Sequence, residues 1–369
     1  MSAPVPHASS SVAPASRSDS APRHELDLAL QGGGAHGAFT WGVLDRLLED
    51  DRIGFAGISG TSAGAMNAVV LAAGWAASGR AGAREALRTF WSEVAATARR
   101  ATPFDRGLFG AFLGNPLAAW SGLGQYYDLV GRMLSPYQFN PLNYNPLRDI
   151  VARVVDFDAV RRSEVPRLFV AATQVSTGRL RIFRNPELSL DALMASACLP
   201  TLFHAVEIDG EAYWDGGYTG NPSLFPLIGE TPADDLLLVQ INPSRRDTVP
   251  TDAASILDRI DEITFHGSLI KELRTVAMLQ RLVRMEARAC RDPSIARIAS
   301  LRVHRLDGGE HLARFGRLSK ADTDWSFLLE LHGSGRAQAD RWLREHFDDL
   351  GRRSTVDLEA EFLLPAGEA

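Results

Sequence analysis

A serine between two glycines is the first residue of this chain that could act as a nucleophile. Residues 60–64 have the sequence Gly-Thr-Ser-Ala-Gly, which matches G-x-S-x-G between a predicted strand and a predicted helix. Small neighbours allow a sharp turn there, so that the serine hydroxyl projects into a cleft. The N-terminal end of the following helix would stabilise negative charge on that oxygen. The pattern therefore predicts that Ser62 attacks a carbonyl group, although a serine that only caps a helix has the same appearance.

A second glycine-rich stretch, residues 32–37, precedes this serine and has two interpretations. Its sequence, Gly-Gly-Gly-Ala-His-Gly, fits the dinucleotide-binding pattern G-x-G-x-x-G. That interpretation requires an acidic residue at the end of the second strand, where the chain instead has Ile58-Ser59-Gly60. The other interpretation is an oxyanion hole, in which successive glycines present backbone N–H groups to a carbonyl oxygen beside Ser62.

A serine nucleophile needs a base, and Asp215 is the candidate. It lies in Trp214-Asp215-Gly216-Gly217, directly after a predicted strand, and the glycines would allow tight backbone turns beside a reacting centre. Asp-Gly is also a common turn dipeptide, and Asp307-Gly308-Gly309 repeats the pattern. The strand context favours Asp215.

The elements that must position these residues alternate between strands and helices. Apolar runs bounded by turn residues predict strands, and apolar spacing of three to four residues predicts helices. The order of strand, glycine turn and helix, given twice, indicates an α/β fold with a largely parallel sheet. The predicted strands are 26–30, 53–59, 167–174, 180–184, 206–208, 211–214, 236–241 and one near 301–306; the predicted helices are 38–50, 65–77, 82–98, 189–198, 256–285 and 325–347.

The three motifs together resemble the patatin-like phospholipase family, in their order and in the gaps between them. Residues 172–178 and Ala195-Ser196-Ala197-Cys198-Leu199-Pro200 also resemble that family. The resemblance covers residues 26–241. It implies a three-layer patatin-like fold, with a central, mostly parallel sheet flanked by helices and a helical C-terminal extension.

The resemblance also implies a reaction, the hydrolysis of lipid acyl esters by a Ser–Asp dyad without a metal or other cofactor. Ser62 would be the nucleophile and Asp215 the base, as in a phospholipase A or a lysophospholipase. The family usually has Arg or Lys where this chain has His36, and a histidine is mostly neutral at pH 7. The implied oxyanion hole consists of Gly32, Gly33, Gly34, Ala35 and Ala63, and the remaining motif residues are Gly37, Gly60, Gly64, Gly216 and Gly217.

Two other classes of function stay open at this point. An α/β-hydrolase would use Ser62, an aspartate and a later histidine. A protein without enzymatic activity could bind a nucleotide at residues 32–37, or bind lipid with the glycine turns serving only for packing. The histidines that follow Asp215 are His266, His304, His311, His332 and His346.

The composition of the chain and the order of its segments predict which partners it excludes and how it divides into domains. The net charge of −6 argues against a nucleic-acid partner, because phosphate contacts need a basic face. Residues 1–24 are rich in Ser, Ala and Pro and predict a disordered tail rather than a secretory signal peptide. We expect a catalytic domain at 25–242 and a mainly helical extension at 243–369 packed on it.

The cysteines indicate the compartment in which the protein is found, and an aromatic-rich segment indicates how a substrate could reach the site. Cys198 and Cys290 are the two cysteines; they fit neither a disulfide framework nor a metal site, which favours a reducing, cytoplasmic compartment. Residues 102–146 are rich in aromatic and turn-forming residues and predict an irregular insertion over the sheet. That insertion serves either as packing or as a lipid-facing lid, in which case the protein would contact the inner face of a membrane and take a lipid ester as substrate.

Overall fold

One mixed sheet of eight strands forms the centre of the molecule. The computed structural model describes residues 23–100, 135–243, 249–286, 292–315 and 317–363. Five strands run parallel in the order β3-β2-β1-β7-β8, and three antiparallel strands join at β3 and β6. The strands are β1 (His24–Leu30), β2 (Ile53–Gly60), β3 (Arg167–Gln174), β4 (Leu180–Arg184), β5 (Val206–Ile208), β6 (Glu211–Asp215), β7 (Asp235–Gln240) and β8 (Arg302–Asp307).

Both faces of the central strands are buried, which explains their nearly continuous apolar sequence. In β7, Leu237 and Val239 belong to one hydrophobic core, whereas Leu236 and Leu238 belong to a second core on the opposite face. Helices cover each face, so the molecule has three layers. The predicted α/β fold with a mostly parallel sheet flanked by helices is confirmed.

Helices follow the strands, with short 3-10 turns at several junctions. The helices are α1 (Gly37–Leu47), α2 (Ala63–Arg100), α3 (Pro136–Phe139), α4 (Pro146–Val154), α5 (Phe157–Arg162), α6 (Leu190–Ser196), α7 (Phe225–Glu230), α8 (Ala253–Met285), α9 (Pro293–Ser300), α10 (Gly309–Ala313), α11 (Trp325–His346) and α12 (Leu358–Phe362). Two helices predicted at 65–77 and 82–98 correspond to α2. Its backbone leaves helical geometry at Ser78 and at Gly79, where φ is +61°.

The C-terminal region completes the sheet and its packing. Strand β8 pairs in parallel with β7, and α11 packs along α1. A 3-10 turn, Arg317–Ala321, lies against a second 3-10 turn, Gly34–His36, in the first glycine-rich loop. The described residues of this C-terminal region therefore contribute to the same cores as the preceding region, while the division at residue 242 into two domains stays a prediction.

Several predictions concern residues outside the described ranges. The described ranges do not include residues 1–22 of the predicted tail, Cys290 or residues 101–134 of the aromatic-rich segment. Cys198 is buried. Among the helices of the described ranges, none has a stretch long and apolar enough to span a bilayer.

Candidate active site

Ser62 occupies the turn between β2 and α2. Its φ is +53°, in the left-handed region that non-glycine residues rarely adopt and that is found at functional turns. The half-buried residue directly precedes the first residue of α2, and its N–H donates to Ser196 Oγ at 3.0 Å. The backbone therefore holds the hydroxyl at a helix N-terminus, where developing negative charge is favoured.

Asp215 ends strand β6 and is fully buried. Its N–H donates to the Cys198 carbonyl at 2.7 Å, and its Oδ1 accepts from the Gly217 N–H at 2.7 Å. Its other carboxyl oxygen, Oδ2, is buried and has no hydrogen bond of standard geometry within the described part of the chain. The backbone therefore holds Oδ1, whereas Oδ2 is in a position to accept a proton.

The protonation of Asp215 is set by its surroundings. Burial raises the pKa of its carboxyl to about 7, against the lowering effects of the Gly217 N–H and the Ser62 hydroxyl. Ser62 thus lies close enough to lower the pKa of the carboxyl, although the Ser62 hydroxyl and Asp215 Oδ2 are not at standard hydrogen-bond geometry. A base with a pKa near 7 is suited to accept a proton at neutral pH, which an ordinary aspartate is not.

The first glycine-rich loop passes directly over the Ser62 turn. A Cβ on Gly32 would lie 2.6 Å from the Thr61 carbonyl oxygen and 2.8 Å from Ser62 Cβ. The loop is fixed by two asparagines: the Gly32 N–H donates to Asn221 Oδ1, and Asn242 Nδ2 donates to the Gly32 carbonyl, both at 2.7 Å. A side chain larger than hydrogen cannot fit here without displacing either the Ser62 turn or the glycine loop.

The hydrogen bond from the Gly32 N–H to Asn221 Oδ1 involves one of the residues predicted to form the oxyanion hole. The N–H of Gly32 points to Asn221 and so does not agree with a role as an oxyanion donor. Gly33, Gly34, Ala35 and Ala63 stay as the proposed donors. Gly34 is exposed and has a φ of +61°, while Ala63 is the first residue of α2.

The remaining motif glycines allow close contact between elements. At each, a Cβ would lie less than 3 Å from a neighbouring atom, so a larger residue would force the elements apart. The nearest atoms are Ala63 Cβ for Gly37, backbone of residues 64–65 for Gly60, the Leu30 carbonyl for Gly64, the Ala171 carbonyl for Gly216 and the Phe265 ring for Gly217.

Sequence reasoning did not assign three residues that support the site. Asn221 and Asn242 hold Gly32, and Ser196 accepts from the Ser62 N–H. Ser196 belongs to the Ala195–Pro200 stretch and Asn221 precedes a proline, so both had a sequence signal. Asn242 had none, because its role depends on β7 lying beside β1.

His36 contacts the C-terminal region. It is buried, shares a 2.8 Å hydrogen bond between Nε2 and Ser319 Oγ, and lies against the rings of Phe315 and Phe327. The same region reaches the glycine loop, since a Cβ on Gly34 would lie 2.2 Å from the Lys320 carbonyl. The C-terminal region therefore packs against the glycine loop at Gly34.

The five later histidines have hydrogen-bond or ion-pair partners elsewhere, and none in the described ranges is hydrogen-bonded to Ser62 or Asp215. His304 lies in β8, separated from β2 by β7 and β1, and contacts Asp235. His266 contacts Gln31; His311 contacts Arg314 and Glu330; His332 contacts Asp45; and His346 contacts Asp349. Nor do the described ranges contain a group of three His, Cys, Asp or Glu that could hold a metal. This arrangement favours a dyad over a triad.

Comparison with known proteins gives the class. A family model described as patatin-like phospholipase matches residues 28–228, more than half of the chain. The chain belongs to the patatin-like phospholipase family, a family of lipid acyl hydrolases. No curated protein matches the sequence. Among solved structures it is similar to the crystal structure of VipD from Legionella pneumophila, with 14% identity and a TM-score of 0.42 over 88% of this chain and 67% of that chain.

Proposed function

We propose that the protein hydrolyses acyl esters of lipids with a Ser62–Asp215 dyad. Ser62 Oγ attacks the ester carbonyl while Asp215 Oδ2 takes the hydroxyl proton. The oxyanion is held by backbone N–H groups of Gly33, Gly34, Ala35 and Ala63. Asp215 returns the proton to the leaving alcohol, and the acyl-enzyme is then hydrolysed by a water that Asp215 deprotonates.

One observation carries this proposal: a serine in a left-handed turn lies beside a fully buried carboxyl whose pKa is about 7. Burial alone brings the pKa of the Asp215 carboxyl close to neutral pH, so that the proposed base needs no histidine. Each oxyanion donor is worth on the order of 3–4 kcal/mol of transition-state stabilisation where measured, so backbone amides supply much of the remaining rate enhancement.

A lipid substrate is supported by the family and by the described end of the aromatic-rich segment. Residues 135–144 expose Tyr137, Leu142 and Tyr144, with 91% of Leu142 accessible. Tyr137 stacks on His204, in the loop that follows Cys198. Exposed apolar and tyrosine side chains near Cys198, whose carbonyl holds Asp215, suit contact with a lipid interface. Contact with the inner face of a membrane in the cytoplasm is part of the proposal.

The test compares two dyad variants with a matched control. Ser62→Ala and Asp215→Asn should each lose nearly all hydrolysis of a p-nitrophenyl ester and of a phospholipid panel analysed by mass spectrometry. Asp307→Asn is the control, because Asp307 lies in the same Asp-Gly-Gly pattern and accepts from the Gly309 N–H at 2.9 Å, yet is exposed. It should retain full activity.

Labelling separates the remaining alternatives. A fluorophosphonate should modify Ser62 in the wild type, as mapped by peptide mass spectrometry. Full activity in either dyad variant contradicts the mechanism. Lipid binding without labelling or hydrolysis would instead support a lipid-binding protein that lacks enzymatic activity.

A further inference from the structure

Helix α8 has an apolar face on its outer side. Ile256, Ile260, Ile263, Ile270, Met278 and Met285 are all exposed, from 38% for Ile270 to 76% for Met285. Their positions repeat at intervals that return to one side of an α-helix. We name this set the outer stripe.

The outer stripe lies opposite the side by which α8 packs on the protein. Leu269, Leu273 and Val276 of the same helix are buried in the core beneath the sheet. A helix that is apolar on two opposite sides is normally covered on both. From Ile256 to Met285 the stripe is roughly 43 Å long at 1.5 Å per residue, and an apolar surface of this extent indicates a binding partner.

Charge indicates what kind of partner it is. Residues 271–285 contain Lys271, Arg274, Arg281 and Arg284 but a single acid, Glu272. Glu272 is turned inward, where it accepts from the Ser223 hydroxyl and the Leu224 N–H. Arg281 and Arg284 share one partner, Glu359. This half of the outer surface therefore combines apolar side chains with net positive charge.

We propose that the outer stripe docks on a lipid surface containing anionic headgroups. Arg274 and Arg281 fall on the same helical side as the apolar residues, so a second copy of the chain would desolvate them, whereas headgroup phosphates would pair with them. A local cationic cluster also attracts anionic lipid despite the overall charge of −6.

The outer stripe lies on a helix that contacts the proposed active site, and the role of lipid docking in catalysis rests on the proposed function. Phe265 of α8 would contact a Cβ added at Gly217, and its carbonyl accepts from Asn221 Nδ2 at 3.1 Å. The helix that lies on the lipid surface is thus the helix that packs beside Asp215 and the loop over Ser62.

Vesicle flotation tests the proposal independently of catalysis if the protein also carries Ser62→Ala. The Ser62→Ala protein should float with phosphatidylcholine vesicles that contain phosphatidylserine, and more weakly with phosphatidylcholine alone. Adding Ile263→Glu and Met278→Glu should reduce the partition coefficient roughly tenfold or more, while Lys271→Glu with Arg274→Glu should remove the preference for phosphatidylserine. Leu329→Glu is the matched control, because Leu329 is 43% exposed on α11 and should leave flotation unchanged.

Three results would overturn docking on lipid. The first is flotation of the Ile263→Glu, Met278→Glu protein equal to that of its parent, and the second is no flotation of the parent. The third is a dimer in sedimentation equilibrium that the same two substitutions dissociate, which would identify a second copy as the partner. Hydrolysis of a water-soluble p-nitrophenyl ester, measured with Ser62 intact, should not change with the stripe substitutions. Absence of vesicle binding by the parent protein, with ester hydrolysis retained in the protein with Ser62 intact, therefore refutes docking alone, whereas ester hydrolysis by Ser62→Ala refutes the proposed function alone.

Discussion

Gly60 and Asp215 lie on the same edge of strand β3. Gly60 pairs with Val170 and Asp215 pairs with Ala172. The opposite edge belongs to β4, which pairs with residues 169–173. Strands β2 and β6 therefore approach each other end to end along one edge, in opposite directions. The turn after β2 presents Ser62 and the end of β6 presents Asp215, so residues 153 positions apart meet without a loop having to hold them.

The raised pKa of Asp215 predicts a pH dependence of ester hydrolysis. The base must be ionised, and burial raises its pKa to about 7. We expect kcat to rise about tenfold per pH unit below this value and to level off above it. Measurement of kcat for a p-nitrophenyl ester from pH 5 to 9 checks the prediction. A kcat that stays constant from pH 5 to 9 would mean that the base is an ordinary exposed carboxylate.

The same pKa predicts that the active site lowers the stability of the fold. An aspartate whose pKa rises from 3.8 to about 7 on folding binds more protons in the native state between about pH 4 and 7. Its contribution to the free energy of unfolding therefore falls as the pH rises through this window. Because one pKa unit is worth about 1.4 kcal/mol, Asp215→Asn should be more stable than wild type by roughly 2–4 kcal/mol at pH 8, and equally stable near pH 4.

Asp27 provides the matched control for this prediction. It is also fully buried, and burial raises its pKa to about 7 as well, but its partner is Thr231. Asp27→Asn should show similar stabilisation at pH 8 in urea unfolding and keep full activity. If Asp215→Asn is less stable than wild type at pH 8, the carboxyl is ionised in the native state at low pH and the proposed base is wrong.

The sequence predicts the elements better than the contacts that complete the site. Ser62 and Asp215 could be proposed from the sequence because a strand precedes each and glycines surround them. Strands β3, β4 and β5 have the predicted ends, and the other strand ends differ from prediction by at most two residues, the largest difference being β1, which begins at His24 rather than at residue 26. Seven short helices were not predicted, since each has nine residues or fewer and too few turns to show a period; they are α3, α4, α5, α7, α9, α10 and α12. The Gly32 hydrogen bond to Asn221 spans 189 positions, and no local pattern encodes it.

The contact between Gly32 and Ser62 predicts a steric effect on catalysis. A Cβ at Gly32 would lie within 2.8 Å of Ser62 Cβ, so Gly32→Ala must shift the nucleophile or the loop. We expect kcat to fall roughly 100-fold and stability to fall by roughly 1–3 kcal/mol. Gly229→Ala is the control, because nothing lies within 4 Å of the added Cβ. It should leave kcat unchanged and stabilise α7 by up to about 1 kcal/mol.

The hydrogen bond between Asn221 and Gly32 predicts a positioning role. Asn221→Ala leaves the buried Gly32 N–H without its acceptor, which costs about 1–3 kcal/mol, and frees the glycine loop to move. The kcat should fall by roughly 10- to 100-fold with little change in KM for a short ester. Asn185→Ala is matched, because Asn185 is also buried and accepts from the Leu168 N–H at 2.6 Å. A similar fall in kcat for both variants would indicate general destabilisation instead of positioning.

The surroundings of His304 decide between a dyad and a triad. His304 is fully buried, with Nε2 3.0 Å from Asp235 Oδ1 and Nδ1 3.2 Å from Thr355 Oγ1. Its ring lies edge-on to Trp342, and these contacts join β8 to the C-terminal segment. His304→Ala should therefore lower the free energy of unfolding by roughly 2–4 kcal/mol, because it leaves a cavity and removes a partner of Asp235. At a temperature where the variant is folded, kcat should match that of wild type.

His311→Ala, at a half-buried position beside Arg314, should change neither the free energy of unfolding nor kcat by much. If either histidine variant loses activity as fully as Ser62→Ala while folded by circular dichroism, proton transfer passes through an imidazole and the Ser–Asp mechanism fails.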